Sequence, residues 1–299
     1  MKTLAVDATW LMRRQFSVVS KESNEETKSA DLETQEVAQE DLKNIIEPDA
    51  IICSFLTCLI KKIREDFNFH CETILLWDKG TYRYRPKNIY SDYKSNKKLE
   101  YTKESYQVCW DAINKAAELT RLLGFKSIRI GGLEADDLGM YYSHNRPECI
   151  LWTIDSDWMQ SISPTSILHR QNTVLSYSDI CEAEEVEEPF DLAIKKAILG
   201  NHDNLKSVGF KNMSVKEAIQ AYKDSEKYSV KELDQIEYNL ILARLDRILS
   251  DEDAIQLIKS QETLTKTDDI SYLQGLSQLK TIPNHLCSSL NIYHSTLAS

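Results

Sequence analysis

Four apolar runs in this 299-residue chain each hand over to acids: TLAV to Asp7, TILLW to Asp78, SIRI, through GGL, to Glu134, Asp136 and Asp137, and CILWTI to Asp155 and Asp157. A lone Asp after a strand is most often a helix N-cap that accepts from free backbone N–H groups. The acids of EADD can likewise be favoured by a helix dipole. Asp155 and Asp157 are one residue apart and point the same way while the chain is extended, which capping does not require. Taken together, seven carboxylates at one sheet edge would repel and raise one another's pKa unless something positive sat among them. An all-oxygen set without paired His or Cys selects a hard cation, Mg²⁺ or Mn²⁺. Seven acids exceed the needs of one such ion. Two ions about 4 Å apart would share them, one activating a water and the other stabilising the leaving oxygen of an in-line phosphoryl displacement.

Convergence of this kind requires a particular frame. Residues 3–6, 73–77, 127–130, 149–154 and 166–169 read as strands, the central ones apolar on consecutive residues as a sheet covered on both faces demands. Ile52, Phe55, Leu56, Leu59 and Ile63 recur at helical spacing, as do Val108, Ala112, Ala116, Leu119 and Leu123. Strand, helix, strand in repetition predicts an α/β fold, a mostly parallel central sheet with helices on both faces. Ligands of such sheets lie beyond the carboxyl ends of the strands, where these acids fall. From about residue 190 the patterns are helical, and Leu240, Leu242 and Leu245 read as helix core. The expected organisation is a core over 1–190 and a helical C-terminal region over 191–299.

Charge is unevenly spread. The formal net charge is −11, much of it in two acidic runs. Residues 20–48 carry nine acids against three lysines with almost no apolar periodicity until Leu42, and read as a solvated insertion. The run EAEEVEEPFD, 182–191, is expected to lead into a helix carrying Ala193, Ile194, Ala197 and Ile198. Residues 83–103 reverse the sign, with seven Lys or Arg against two acids and tyrosines at 84, 90, 93 and 101. Cations beside aromatic faces suit a single nucleic-acid strand, each base stack contributing about 1–3 kcal/mol. A solvated loop whose tyrosines merely pack is the alternative. The seven cysteines are scattered and lack any C-x-x-C pair, so neither a disulfide framework nor a zinc site is expected. His144, His169 and His202 stand alone and read as surface or core residues, and Trp152 and Trp158 as packing residues. No apolar run reaches the length of a membrane span, and MKTLAVDATWLM places a carboxylate where a signal peptide would be apolar. A cytoplasmic location is expected, that of the host if the chain is phage-encoded.

The ordered set AVDATWLMRR, LLWDKGTYRYR, YKSNKK, LEADDLG, TIDSDWMQ and ILGNHDN resembles the 5′-nuclease or flap endonuclease superfamily, especially its bacteriophage members, over roughly residues 1–215. That resemblance implies a PIN-like nuclease core with a basic arch over about 79–104, and a metal-dependent phosphodiesterase that cuts DNA or RNA–DNA near a 5′ end. It implies a first metal site of Asp7, Asp78, Glu134, Asp136 and Asp137, and a second of Asp155, Asp157 and Asp203. It implies that Lys94 and Arg14 contact and polarise the substrate phosphate, and that Arg83, Arg85, Lys87, Tyr93, Lys97 and Lys98 join Lys94 in gripping the strand. The role implied is 5′-3′ exonuclease and flap endonuclease in primer or flap removal, alongside replication proteins such as a polymerase, clamp or single-strand-binding protein.

The chain departs from the phage pattern twice. Gly200-Asn201-His202-Asp203-Asn204 is one residue shorter than Gly-Asp-x-x-Asp-Asn and keeps only its second acid, which predicts an altered second metal site with His202 at hand. The glycine-rich hairpin motif is reduced to VGFKNMSVKEA with Gly209 as its only glycine, which predicts a weaker grip on duplex. Two other readings follow from the same residues: a PIN-like ribonuclease, and a nucleic-acid-binding replication scaffold with weakened chemistry.

Overall fold

Consecutive apolar residues in the strands serve two cores. The computed structural model describes residues 1–28, 47–79, 103–170, 172–200, 205–208, 213–263, 269–278 and 283–298. Within it β1 (Lys2–Asp7), β2 (Cys71–Leu76), β3 (Lys126–Ile128), β4 (Cys149–Trp152), β5 (Ile167–Arg170) and β6 (Thr173–Ser176) form one sheet in the order β3-β2-β1-β4-β5-β6. All neighbours are parallel except β5 and β6. Leu4, Val6, Leu75, Ile150 and Trp152 face one core, while Ala5, Ile74, Leu76, Cys149 and Leu151 face the other. Side chains alternate faces along a strand, so covering both faces makes every position apolar.

Helices α1 (Ala8–Lys28), α2 (Pro48–Phe67) and α3 (Lys103–Leu122) cover the first face, and α4 (Ala135–Asn145) the second. The expected α/β architecture is thus the observed one. After β3 the chain crosses back past β2 and β1 to form β4, so the strand order reverses between β1 and β4. Such a reversal opens a crevice at the carboxyl ends of the strands.

Helices α5 (Tyr177–Glu184), α6 (Leu192–Leu199), α7 (Val215–Lys223) and α8 (Val230–Ala243) follow, then α9 (Glu252–Thr263), α10 (Asp269–Ser277) and α11 (Asn284–Ala298). Ala193, Ala197, Ile198, Ala218, Ile236, Leu240 and Leu242 build a third core. Beyond it the chain returns to the sheet: Leu245, Ile248, Ala254 and Ile258 join the second core, and Leu286, Leu290 and Tyr293 the first. Tyr293 stacks on Phe125 with ring centroids 4.9 Å apart and accepts from the Thr73 N–H at 3.2 Å. All seven cysteines are free thiols. No helix among the described residues is long and apolar enough to cross a membrane.

Three local expectations are corrected. Residues 20–28, expected to belong to a solvated insertion, continue α1. Lys and Glu are good helix formers, and extension from turns already packed at Leu11, Met12 and Phe16 avoids the cost of a new nucleus. Strand β3 stops at Ile128, two residues early, because Ile130 to Leu133 turns back with Leu133 N–H bonded to the Ile130 carbonyl at 3.1 Å. Strand β4 stops at Trp152 instead of Ile154, and β6 was not anticipated from its short TVLS pattern.

Candidate metal centre

Each strand end presents its acid by a different local device. Asp7 closes β1, and its Oδ1 accepts from the Trp10 N–H at 2.9 Å in the first turn of α1. Its Oδ2 accepts from the Thr153 hydroxyl at 3.0 Å. The same Thr153 oxygen accepts from the Asp155 N–H at 3.1 Å, which ends β4 early and links the two acids through one side chain. Asp78 is fixed on three sides: its N–H donates to Thr9 Oγ1 at 2.8 Å, its Oδ1 accepts from the Ala135 N–H at 2.8 Å, and its carbonyl accepts from Arg129 Nε at 3.3 Å.

Glu134, Asp136 and Asp137 gather at the start of α4, with one carboxylate oxygen of each within 4.8 Å of the others. Glu134 is the N-cap, and its N–H is bonded in return by Asp137 Oδ2 at 3.1 Å. The helix-capping reading and the clustering reading therefore both hold for EADD, because a helix N-terminus favours negative charge.

Asp155 and Asp157 correct the expectation of an extended pair. Asp155 is the N-cap of a 3₁₀ turn, Ser156–Ser161, and its Oδ1 accepts from the Asp157 N–H at 2.9 Å. The turn is pinned by Trp158, fully buried against α4. Gly139 makes this possible, since a Cβ there would lie 2.7 Å from the Trp158 ring. Packing at Gly139 thus sets the spacing between the Asp155 pair and the acids of α4.

These groups share one electrostatic field. Burial, then the charge of Asp78, then that of Asp155, pushes the Asp7 pKa well up against the hydrogen bonds from Trp10 and Thr153. Asp155 is raised by burial first, then by Asp157 and Asp136, with Lys196 opposing. Five of the acids, from β1, β2, α4 and the 3₁₀ turn, are therefore close enough to repel. Every donor is a carboxylate oxygen, the chemistry of a Mg²⁺ or Mn²⁺ site and not of a soft metal. The residues present fit such an ion.

Among the described residues, cations also reach the rim. Arg13 reaches Asp78 Oδ2 at 4.0 Å. Lys196, on α6, pairs with Asp157 Oδ2. Arg14 is exposed and lies over the Trp10 ring at 5.8 Å, on the β4 side of α1. His169 faces Lys62 at 3.0 Å and Asp66 at 3.6 Å, and the charges nearest His144 are Glu188 and Asp246. Trp152 and Trp158 are core residues. Asp203, His202, Gly209, Tyr93 and the basic residues Arg83, Arg85, Lys87, Lys94, Lys97 and Lys98 lie outside the described residues. Gly200, just before Asp203, has a φ of +71° and no room for a Cβ against the Leu205 carbonyl, so this position requires glycine.

Thr9, Thr153, Arg13, Arg129 and Lys196 were not singled out from the sequence. Only Arg13 carried a signal, standing beside Arg14 on the same helix.

A family profile described as the 5′-3′ exonuclease, N-terminal resolvase-like domain, matches residues 2–191. Sequence comparison with curated proteins finds none that matches. Among solved structures, the 5′-exonuclease of bacteriophage T5 with bound zinc superposes with a TM-score of 0.57 at 17% identity, over 89% of this chain and 99% of that one. The T5 D15 protein co-crystallised with metal ions gives 0.54 at 16% identity, over 99% of both chains. Human GEN1 in complex with Holliday junction DNA gives 0.52 at 14% identity, over 99% of this chain and 72% of that one. At these identities the likeness is one of fold.

Proposed function

Because the chain belongs to the 5′-3′ exonuclease family with an N-terminal resolvase-like domain, we propose that it is a divalent-metal-dependent nuclease, a 5′-3′ exonuclease and flap endonuclease acting on DNA or RNA–DNA with a free 5′ end. The observation that carries this reading is the acidic crevice where strand order reverses, with Glu134, Asp136 and Asp137 within 4.8 Å of one another and Asp7, Asp78, Asp155 and Asp157 beside them. Bound there, Mg²⁺ or Mn²⁺ supplies Lewis acidity to the phosphoryl oxygens and a lowered pKa to water, with two ions the count that seven acids suit.

The chain's own residues prepare the crevice. Asp7 and Asp78 hold their carboxylates in place through Trp10, Thr153, Thr9 and Ala135, so no reorientation is needed when a cation arrives. Thr153 keeps the β1 and β4 acids in register. Arg13, partly exposed above Asp78, is placed to take a phosphate oxygen, with Arg14 one residue on and Lys94 as the further basic contact expected from the motif. Asp203, outside the described residues, is the acid that the motif would add to the second set. The basic residues Arg83, Arg85, Lys87, Lys97 and Lys98, with Tyr93, would hold an unpaired strand by charge and stacking. Primer or flap removal in replication is the role this chemistry suits.

The test is Asp155→Asn. Cleavage of a 5′-flapped DNA in Mg²⁺ should fall by about 10³-fold, the several kcal/mol a Lewis acid supplies. Affinity should stay within about tenfold, since phosphate contacts dominate binding. Undiminished turnover would overturn the assignment. Preference for single-stranded RNA over the flap would move the protein to the ribonuclease reading, and wild-type inertness in both Mg²⁺ and Mn²⁺ would make it a binding scaffold.

A further inference from the structure

Arg129 sits at the carboxyl end of β3, outside the acid set, yet touches three elements that the acids depend on. Its Nε donates to the Asp78 carbonyl at 3.3 Å, and its NH2 donates to Asn114 Oδ1 on α3 at 2.6 Å. Its own backbone is held at both ends by one side chain: the Arg129 N–H donates to Gln261 Oε1 at 2.8 Å, and Gln261 Nε2 donates to the Arg129 carbonyl at 2.8 Å. Gln261 belongs to α9, 132 residues further along the chain. Burial pushes the Arg129 pKa down, and the charges of Glu118 and Asp78 oppose that shift.

We propose that Arg129 is a positioning residue: its guanidinium fork fixes the peptide of Asp78, and with it the direction of that carboxylate, against α3 and the C-terminal helix α9. Thr9 already fixes the Asp78 N–H and Ala135 its Oδ1. Arg13 lies 4.0 Å from Asp78 Oδ2, and Arg129 holds the Asp78 carbonyl. A planar fork can serve two acceptors at once, which a single ammonium cannot do in the same geometry. The contact to Asn114 ties the same fork to α3, so the Asp78 peptide, α3 and α9 meet at one residue. The inference rests on the metal-nuclease reading above and adds to it a residue that touches neither substrate nor ion.

The experiment compares Mn²⁺ binding by electron paramagnetic resonance with flap cleavage in wild type, Arg129→Met, Arg129→Lys and Gln261→Ala. Partners that orient ligating groups are worth about 10–100-fold in metal affinity or activity. Arg129→Met should weaken Mn²⁺ binding and lower kcat in that range, with KM changed by less than the fall in kcat. Arg129→Lys should recover part of both, and Gln261→Ala should follow Arg129→Met in direction with a smaller loss. If Arg129→Met fails to fold, judged by circular dichroism and melting, Asn114→Leu carries the test, because it removes only the α3 arm of the fork and should weaken Mn²⁺ binding and lower kcat in the same direction by less. Mn²⁺ affinity and kcat in Arg129→Met equal to those of a wild type that binds and cuts would overturn this inference and leave the nuclease reading standing. A wild type that neither binds Mn²⁺ nor cuts would overturn both.

Discussion

Asp7 and Asp78, at the ends of strands paired directly to each other, have their carboxylates bonded by neutral donors, the Trp10 and Ala135 N–H groups and the Thr153 hydroxyl, with Arg13 no closer than 4.0 Å to Asp78, whereas Asp157 is paired with a lysine from a helix that belongs to a different core. The first half of the rim has its geometry set by sheet register, Asp7 opposite Leu76 and Val6 opposite Trp152. The second half hangs on a 3₁₀ turn packed by Trp158 and on the placement of α6. Neutral donors leave the carboxylates their charge and so leave the demand for a cation unmet. Lys196 meets part of that demand from within the chain. The two halves should therefore differ in how tightly they take a divalent ion, the β1–β2 half more tightly.

The largest effect that sharpens this contrast should come from Thr153→Val, which removes the single hydroxyl joining Asp7 to the Asp155 backbone. Flap cleavage and Mn²⁺ affinity should both fall by about 10–100-fold, and Thr153→Ser should restore most of each. Equal behaviour of the valine and serine variants would show that the link is not what sets the register of the two halves.

A smaller and opposite change is expected from Lys196→Met. Removing the ammonium frees Asp157 Oδ2 and withdraws a competing positive charge. Mn²⁺ titration should show the weaker site tightened by up to about fivefold, the range a partly exposed ion pair contributes, with the tighter site nearly unchanged. A matching shift at both sites would break the contrast between them.

The smallest effect concerns pH. The folded pKa values of Asp7 and Asp155 are raised, chiefly by burial and then by neighbouring acids. A folded carboxyl that holds its proton more tightly than the unfolded one contributes stability at low pH and loses it as pH rises through the folded value. In metal-free protein this contribution should therefore decline upward from about pH 4. A divalent cation displaces those protons, so its stabilisation should grow over the same range. Melting temperatures with and without Mn²⁺, taken at mildly acidic and mildly alkaline pH, should separate by more at the higher pH. A gap that narrows would place the cation elsewhere.

Much of the frame was legible because period and burial leave marks in sequence. Leu4 to Val6, Ile74 to Leu76 and Cys149 to Trp152 are apolar at every position since each face has its own core. The acids were legible because they follow those runs immediately. Strand ends were less so: β4 stops at Trp152 because Thr153 turns its hydroxyl to Asp7, a partner 146 residues away. The extended Asp155–Asp157 pair gave way to a capped turn because Asp155 found a local N–H to accept, the competition that short polar side chains offer wherever a strand ends.

By itself, the sequence determined that acids end the strands of a doubly covered sheet, and its carboxylates without soft ligands are the ground for the hard cation proposed above. Residue type and immediate neighbours decide both matters, through alternation of side chains and through charge. Only the tertiary structure decided which groups hold those acids in place. Thr153 to Asp7, Lys196 to Asp157, and Gln261 through Arg129 to Asp78 join residues remote along the chain. Those meetings follow from strand order and helix packing, and no local pattern encodes them.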